Sequence, residues 1–267
     1  QFSLPPLVLH AVHRQDVKAL CQWAGSLALP STHTTWFNFL ASHDGIGLNP
    51  LRGILPESEI LSLVEKLQQE GALVNWKNNP DGTRSPYEIN VTYLDALSLR
   101  DSSDDERIAR FILAHAVLLS FPGVPAVYIQ SILGSRNDYE GVERLGYNRA
   151  INRKKYTVGQ VDLELNNNKS IRYQIYSRLN ELIAVRRGER AFHPDSQAIF
   201  DAIGERILKI VRVAENGERM TALFNFSNKM QTVYGQTLFG RELLSGQNIS
   251  GTELTLNPWQ VMWIKEN

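Results

Sequence analysis

The sequence predicts an α/β fold, with strand–helix units over residues 1–195 and a small antiparallel β domain over residues 196–267. Residues 124–129 form a near-continuous apolar run, which is typical of a parallel strand covered on both faces. Apolar residues recur at helical spacing on both sides of that run. After His193-Pro194 the pattern changes to alternating strands around an Asn216-Gly217 hairpin turn.

The amino-acid composition limits the classes of protein to which the chain can belong. At 267 residues with 43% hydrophobic content, the chain can bury a sizeable core. Its 28 basic and 28 acidic residues balance, so no global field favours a nucleic acid or an anionic membrane. It also has no run of about 18 apolar residues, the length that a membrane span needs. We therefore expect a partner that is neutral or is recognised locally.

The single cysteine, Cys21, excludes an internal disulfide framework and a structural zinc site, and this favours the cytoplasm. A lone cysteine in an apolar helix is usually a core residue, so Cys21 receives no role. The chain begins at Gln1 without an initiator methionine or a signal-peptide pattern. We expect a cut or engineered start, with an upstream region missing.

The first predicted unit is a strand within residues 2–9, interrupted by Pro5-Pro6, leading into a helix that reaches about Ala24. A loop over residues 30–34 follows. Residues 35–40 are β-branched and aromatic, which predicts a buried strand delivering its end into Ser42-His43-Asp44-Gly45. Glycine at position 45 permits a sharp turn directly after the polar pair.

The second unit begins with a helix from Pro56 to Gly71. Residues 72–93 then combine turn formers with aromatic and charged side chains, which predicts a long functional loop. Ser103 and Glu106 have the spacing of a capping box ahead of an apolar helix that ends near Pro122-Gly123.

The third unit has a polar loop over residues 134–153 and an amphipathic helix whose apolar stripe is Ile171, Ile175, Leu179, Leu182 and Ile183. Three βα units are therefore predicted before a boundary near residue 195. The predicted strands of the β domain cover residues 206–214, 219–226 and 260–264.

The pair His43-Asp44 has two readings at this point. In (β/α)₈ enzymes the reacting groups lie at the carboxyl ends of strands, so Asp44 could hold a substrate hydroxyl or a developing positive charge, with His43 hydrogen-bonding beside it. Alternatively, Asp44 caps local backbone N–H groups and His43 packs next to it. The spacing alone leaves both readings open.

The stretch from Phe37 to Ile46 resembles the fourth sequence region of the α-amylase superfamily, in the form found in its sucrose-phosphorylase-like subfamily. Five further segments resemble that subfamily, in its order: 79–82, 85–90, 122–128, 134–138 and 148–153. The resemblance implies that residues 1–195 are the C-terminal portion of a (β/α)₈ TIM barrel, about its last three βα units.

The resemblance also implies an activity: a retaining transfer of glucose from an α-glucoside to inorganic phosphate through a β-glucosyl–enzyme intermediate. Asp44 matches the carboxylate that stabilises the transition state, and His43 and Arg149 match residues that bind the glucosyl unit. The nucleophile and the acid/base of the family follow barrel strands four and five, so we expect both to be absent here and the chain alone to be inactive. A structural alternative for Arg149 is an ion pair with Glu140 or Glu143.

The loop at 72–93 matches the family's acceptor loop, where Tyr87 and Glu88 are the candidate substrate-binding residues. Sucrose phosphorylases carry glutamine in place of Glu88 and aspartate in place of Ser85. An anionic Glu88 is expected to repel a phosphate dianion. The Ser-Pro-Tyr-Glu form is more similar to the glucosylglycerate-phosphorylase branch of the family.

No metal-ligand spacing, phosphate loop or dinucleotide fingerprint is present, so no cofactor is predicted. Two other functions stay open: a non-catalytic sugar-binding or scaffold module, and a glucoside hydrolase or transglycosylase on the same fold. Because three βα units cannot close a barrel, we expect unpaired strand edges and self-association of the isolated chain.

Overall fold

The computed structural model describes residues 1–29, 31 and 33–267, with the side chains of residues 236 and 237 excepted. The predicted loop at 30–34 lies partly outside the described residues. The helices are α1 (Leu4–Arg14), α2 (Lys18–Gly25), α3 (Glu57–Gln69), α4 (Tyr93–Ala96), α5 (Asp104–Ser120), α6 (Ile129–Ile132), α7 (Tyr139–Leu145), α8 (Val158–Leu165) and α9 (Ile171–Gly188). Short 3₁₀ helices cover Asn49–Leu51, Asn148–Asn152 and Arg190–Phe192.

The strands form a parallel pair, a three-stranded antiparallel sheet and a six-stranded antiparallel sheet. They are β1 (Phe37–Phe39), β2 (Ile46–Gly47), β3 (Leu73–Asn78), β4 (Arg84–Asn90), β5 (Val124–Ala126), β6 (Gln197–Ile203), β7 (Ile207–Val213), β8 (Arg219–Asn225), β9 (Gln231–Glu242), β10 (Asn248–Leu256) and β11 (Val261–Glu266).

The amino-terminal segment is a helix, so the strand predicted within residues 2–9 is wrong. Pro5 and Pro6 lie in the first turn of α1, where proline is tolerated because the first N–H groups of a helix have no intrahelical partner. Leu4, Leu7 and Val8 are fully buried. The apolar run is therefore a buried helix, and the three predicted βα units reduce to two parallel strands among the described residues.

Those two strands, β1 and β5, pair in parallel, with Phe37 opposite Val124 and Phe39 opposite Ala126. The buried Asn38 side chain donates a hydrogen bond to the Pro122 carbonyl at 2.7 Å, which ties β1 to the segment leading into β5. β1 is therefore anchored to β5 through its buried Asn38, and residues 40–45 continue directly from its carboxyl end.

Residues 72–93 do not form the irregular loop that was predicted. β3 and β4 make a hairpin with antiparallel pairing, and β2 adds to the other side of β4 through two residue pairs. The register of the hairpin shifts between Asn75 and Trp76, which marks a β-bulge. The turn formers at 79–83 lie at the tip of the hairpin, while its base continues next to Gly45 and Ile46.

Helices α5 and α9 behave as predicted. The Ser103 hydroxyl caps α5 by accepting a hydrogen bond from the Glu106 N–H at 3.2 Å. Ile175, Leu179 and Leu182 of the predicted stripe on α9 are buried, and α9 packs against α5. Both helices contribute buried side chains to the main hydrophobic core.

The predicted antiparallel sheet is present and larger than expected. Strands β7, β8 and β11 match the three predicted strands to within about two residues, and β6, β9 and β10 extend the sheet in the order β10-β9-β11-β8-β7-β6. The Asn216-Gly217 turn joins β7 to β8, with Gly217 at a φ of +86°.

One cluster of buried residues runs from the helical part into the sheet, and includes Leu4, Phe111, Phe192, Phe224 and Trp263. Across this junction the fully buried Arg212 of β7 donates hydrogen bonds to five backbone carbonyls, those of Ser120, Phe121, His193, Ser196 and Gln197. The sheet is thus packed firmly onto the end of α5. In the described part of the chain, no helix has the length and apolar character needed to cross a membrane.

Candidate functional site

The site begins where β1 ends. After the buried Leu40, the Ser42 hydroxyl accepts a hydrogen bond from the Asp44 N–H at 3.1 Å, which fixes the turn that carries the Asp44 carboxylate. Gly45 is needed here because an added Cβ would lie 2.6 Å from Glu88 Cγ and 2.8 Å from Asn90 Oδ1. The absence of a side chain at position 45 lets the hairpin approach the end of β1 and brings Glu88 next to Asp44.

Arg149 joins the two carboxylates. Its Nη1 lies 2.7 Å from Asp44 Oδ1, while its Nη2 and Nε lie 2.9 and 3.2 Å from the two oxygens of Glu88. Pairing with Glu88, followed by the attraction of Asp44, raises the pKa of Arg149 above its ordinary value. A fork of N–H donors is the geometry that guanidinium provides and that lysine lacks. The described ion pairs of Arg149 go to these two residues and not to Glu140 or Glu143.

Glu88 lies beneath this arginine, with its side chain only 5% exposed. Besides Arg149, its oxygens accept hydrogen bonds from the Gly45 N–H at 3.1 Å and from Asn75 Nδ2 at 2.7 Å. Four donors therefore saturate the carboxylate. The repulsion of phosphate that was expected from an anionic Glu88 is weakened by the positive charge of Arg149, which Glu88 shares with Asp44.

Asp44 is the more exposed of the two carboxylates, since its side chain is 40% exposed. Arg153 reaches the same oxygen at 3.4 Å through Nη2 and donates from Nε to the His43 carbonyl at 2.7 Å. The carboxylate of Asp44 thus accepts from arginines, and the alternative of a local backbone cap finds no hydrogen bond among the described residues. Two arginines thus hold the Asp44 carboxylate in place while it stays accessible to solvent.

His43 and Tyr87 flank this centre. The His43 side chain is 71% exposed, and its Nε2 lies 3.6 Å from Asp44 Oδ1. Tyr87 is half-buried on β4 and lies close enough to Arg149 to interact with its charge. The five residues selected from the sequence, Asp44, His43, Tyr87, Glu88 and Arg149, are therefore brought to one place.

The sequence did not single out Asn75, Asn148 or Arg153 as site residues. Arg153 belongs to the 148–153 segment, whose resemblance to the family was the available signal. Asn148 Nδ2 donates to Asn75 Oδ1 at 2.7 Å, which links that segment to the hairpin. An asparagine within a stretch rich in turn formers gives no local signal for such a contact.

No group of three or more histidine, cysteine, aspartate or glutamate residues in the described ranges has the geometry to hold a metal ion. A cleft of about 860 Å³ lies elsewhere, between residues 190–197 and 213–216, and contains none of the five site residues. Chemistry rather than cavity size therefore identifies the candidate site: the exposed Asp44 carboxylate, held by arginines beside an exposed histidine, can bind sugar hydroxyls and stabilise a developing cation.

No family model matches the chain. It is 67% identical over 265 residues to the glucosylglycerate phosphorylase of Escherichia coli strain K12, covering 99% of this chain and 47% of that protein. It is 32% identical over 216 residues to the sucrose phosphorylase of Agrobacterium vitis, covering 78% of this chain and 41% of that protein. The chain spans about half the length of the curated relatives it matches.

The fold is similar to the crystal structure of sucrose 6F-phosphate phosphorylase from Thermoanaerobacter thermosaccharolyticum, with a TM-score of 0.71 and 20% identity over 96% of this chain and 47% of that chain. A second similar solved structure is that of alpha-amylase from Geobacillus thermoleovorans complexed with acarbose, with a TM-score of 0.59 and 12% identity over 97% of this chain and 46% of that chain.

Proposed function

Because the chain belongs to the sucrose-phosphorylase-like subfamily of the α-amylase superfamily, we propose that it forms part of a retaining α-glucosyl phosphorylase. In this reaction a carboxylate displaces the aglycone of an α-glucoside to give a β-glucosyl–enzyme intermediate, and phosphate then takes the glucosyl group. Two inversions retain the α configuration in glucose 1-phosphate.

The observation that carries the proposal is the bridge from Arg149 to Asp44 and Glu88 at the end of β1. We assign Asp44 to the ring hydroxyls and to stabilisation of the oxocarbenium-like transition state. Its exposed carboxylate is held by Arg149 and Arg153 before substrate arrives. His43 and Arg149 contact the same glucosyl unit.

The residues that form and break covalent bonds lie, in this proposal, outside the 267 residues. Asp44 and Glu88 are both engaged with arginine, and Glu88 is too deeply buried to serve as a nucleophile. We therefore assign residues 1–195 to the last part of a (β/α)₈ barrel and residues 196–267 to a β domain that caps it. The isolated chain is inactive on this assignment.

We propose glycerate as the acceptor portion of the glucoside. The 67% identity to a glucosylglycerate phosphorylase supports it, as does the glutamate at position 88 where sucrose phosphorylases carry glutamine. Tyr87, which neighbours Glu88 on β4, contributes contacts on the acceptor side.

We also propose that the isolated chain self-associates. β1 and β5 pair only with each other among the described strands, and Phe37 and Val124 of this pair are exposed. Unpaired parallel edges with apolar side chains favour pairing between copies.

The single cysteine is in keeping with a cytoplasmic location.

The test is an assay of the intact parent protein with phosphate and either glucosylglycerate or sucrose, in which release of glucose 1-phosphate is measured. We expect phosphorolysis, faster with glucosylglycerate, and none from the 267-residue chain alone. Release of free glucose without phosphate would make the parent a hydrolase. Binding without turnover by the parent would leave a sugar-binding module, and turnover by the isolated chain would refute the missing-carboxylate assignment.

A further inference from the structure

Asn75 lies directly opposite Glu88 in the β3–β4 hairpin, at the last regular pair before the β-bulge. Its Nδ2 donates to Glu88 Oε2 at 2.7 Å, and its Oδ1 accepts from Asn148 Nδ2 at 2.7 Å. A single amide thus connects the carboxylate under Arg149 to the residue that precedes Arg149.

The orientation of the amide follows from its neighbours. A carboxylate accepts hydrogen bonds only, so Nδ2 must face Glu88 and Oδ1 must face Asn148. With Gly45 N–H and two N–H groups of Arg149 already directed at Glu88, Asn75 supplies the fourth donor. Glu88 is thereby prevented from rotating, and Arg149 is held at the angle that reaches Asp44.

We propose that Asn75 is a positioning residue for the proposed phosphorylase reaction: bonded to both Glu88 and Asn148, it holds the acceptor hairpin against the 148–153 segment and sets the aim of Arg149 at Asp44. The inference rests on the proposed function for its kinetic consequence. Its geometric content concerns the described residues alone.

The bulge explains why an amide of this length fits. Asn75 pairs with Glu88 and the next residue, Trp76, pairs with Pro86, so the register shifts by one residue directly after Asn75. Bulges of this kind change the direction of nearby side chains and are common next to active sites. Aspartate at position 75 would keep the shape and the bond from Asn148 but would place a second carboxylate about 2.7 Å from Glu88. That substitution isolates the link to Glu88.

The experiment compares Asn75→Asp with Asn78→Asp in the intact parent. Asn78 lies on the same strand and accepts from Arg84 at 3.2 Å, so aspartate there adds the same charge beside a cation and away from Glu88. Loss of a hydrogen bond to a charged group lowers an equilibrium or specificity constant by about 10- to 100-fold. We expect kcat/KM for phosphate at pH 8 to fall by that factor in Asn75→Asp and by less than about threefold in Asn78→Asp.

Two further readouts separate positioning from a general structural defect. The charged and titratable groups around the pair are Arg149, Arg153, Asp44, His43 and Tyr87. Two adjacent carboxylates share a proton more readily than one carboxylate binds it, so the deficit of Asn75→Asp should shrink as pH falls. Adding Glu88→Gln removes one of the two carboxylates, but it also turns an amide nitrogen toward the Arg149 Nε–H, which donates to the same oxygen as Asn75. The double variant should therefore recover only part of the lost kcat/KM.

The outcomes are distinguishable. If the wild-type parent releases glucose 1-phosphate but Asn75→Asp matches Asn78→Asp, or its deficit does not shrink at low pH, the positioning role is refuted and the proposed function stands. If the wild-type parent has no phosphorolytic activity, the proposed function fails. Urea unfolding of the same variants then decides the geometry: Asn75→Asp must be less stable than Asn78→Asp at pH 8, with the difference narrowing at low pH.

Discussion

Replacing Arg212 by lysine should destabilise the protein severely, because all five N–H groups of this buried guanidinium are used. They donate to the carbonyls of Ser120, Phe121, His193, Ser196 and Gln197, at distances of 2.7 to 3.3 Å. Lysine has three N–H groups on one atom, so at least two of these carbonyls lose the bond. Burial lowers the pKa of Arg212 to about 9, and the neighbouring positive charge of Arg186 adds to this effect.

The magnitude follows from the carbonyls left without a donor. Each buried, unsatisfied group costs about 1–3 kcal/mol, so two cost about 2–6 kcal/mol. The His193 carbonyl also accepts from the Ser196 N–H at 3.1 Å and keeps one partner, which places the expected loss toward the lower half of that range. Since domains are stable by only about 5–15 kcal/mol, the loss is a large fraction of the total.

Equilibrium urea unfolding followed by tryptophan fluorescence measures this loss, at several protein concentrations so that self-association is separated from folding. The matched control is Arg219→Lys on the adjacent strand, where the arginine is exposed and pairs with Glu266 at 3.0 Å. Such an exposed pair contributes about 0–1 kcal/mol. If Arg212→Lys unfolds within about 1 kcal/mol of the wild type, the five-carbonyl account is incorrect.

In the parent, Asp44→Asn should lower glucose 1-phosphate release by about 10²–10³-fold with an unchanged circular dichroism spectrum, and near-normal turnover would remove Asp44 from the mechanism. Burial lowers the pKa of His13 and of His115 from 6.5 to about 4, so the folded state favours the neutral rings. The free energy of unfolding that these neutral rings contribute above pH 6.5 should therefore be lost as pH falls toward 4, by an amount on the order of 3 kcal/mol per histidine. The double variant His13→Gln, His115→Gln should make the free energy of unfolding less dependent on pH in this acid range. Gly123→Ala should lower the free energy of unfolding by at least about 1–3 kcal/mol, because Gly123 has a φ of +103° and the added methyl would lie 2.3 Å from the Trp36 carbonyl oxygen.

Matched variants test the last two effects. His33→Gln changes an exposed histidine and should leave the acid limb of the unfolding profile in place. Gly217→Ala carries a φ of +86° with no atom within 4 Å of the new methyl, so it reports backbone strain without the clash. Equal losses for Gly123→Ala and Gly217→Ala would show that the Trp36 contact is unimportant.

Local signals predicted much of the fold. Ser103 predicted the start of α5, Asn216-Gly217 predicted the hairpin between β7 and β8, and the aromatic run before Ser42 predicted β1. Each depends on residues within a few positions of one another. The site residues Asp44 and Arg149 were found through the family resemblance, since spacing alone left Asp44 with two readings.

The failures have physical causes. Pro5-Pro6 suggested an interruption, yet proline in a first helical turn costs no hydrogen bond. Pro86 and the turn formers around it suggested a loop. However, β2 pairs only with residues 88 and 89 of β4, so on that side of β4 no strand lies opposite Pro86 and its missing N–H breaks no hydrogen bond. The bond from Asn75 to Asn148 spans 73 residues, and no local pattern encodes it.

The Arg149 bridge has a consequence for how the protein is made. Asp44 and Arg149 are 105 residues apart, and Glu88 and Arg149 are 61 apart. At a synthesis rate of about 5–20 residues per second, Asp44 precedes its arginine by about 5–20 s. Contacts of such long range also carry a high loop-closure cost and form late. During translation the two carboxylates therefore lack the cation that unites them, and their arrangement around Arg149 can form only after residue 149 has been made.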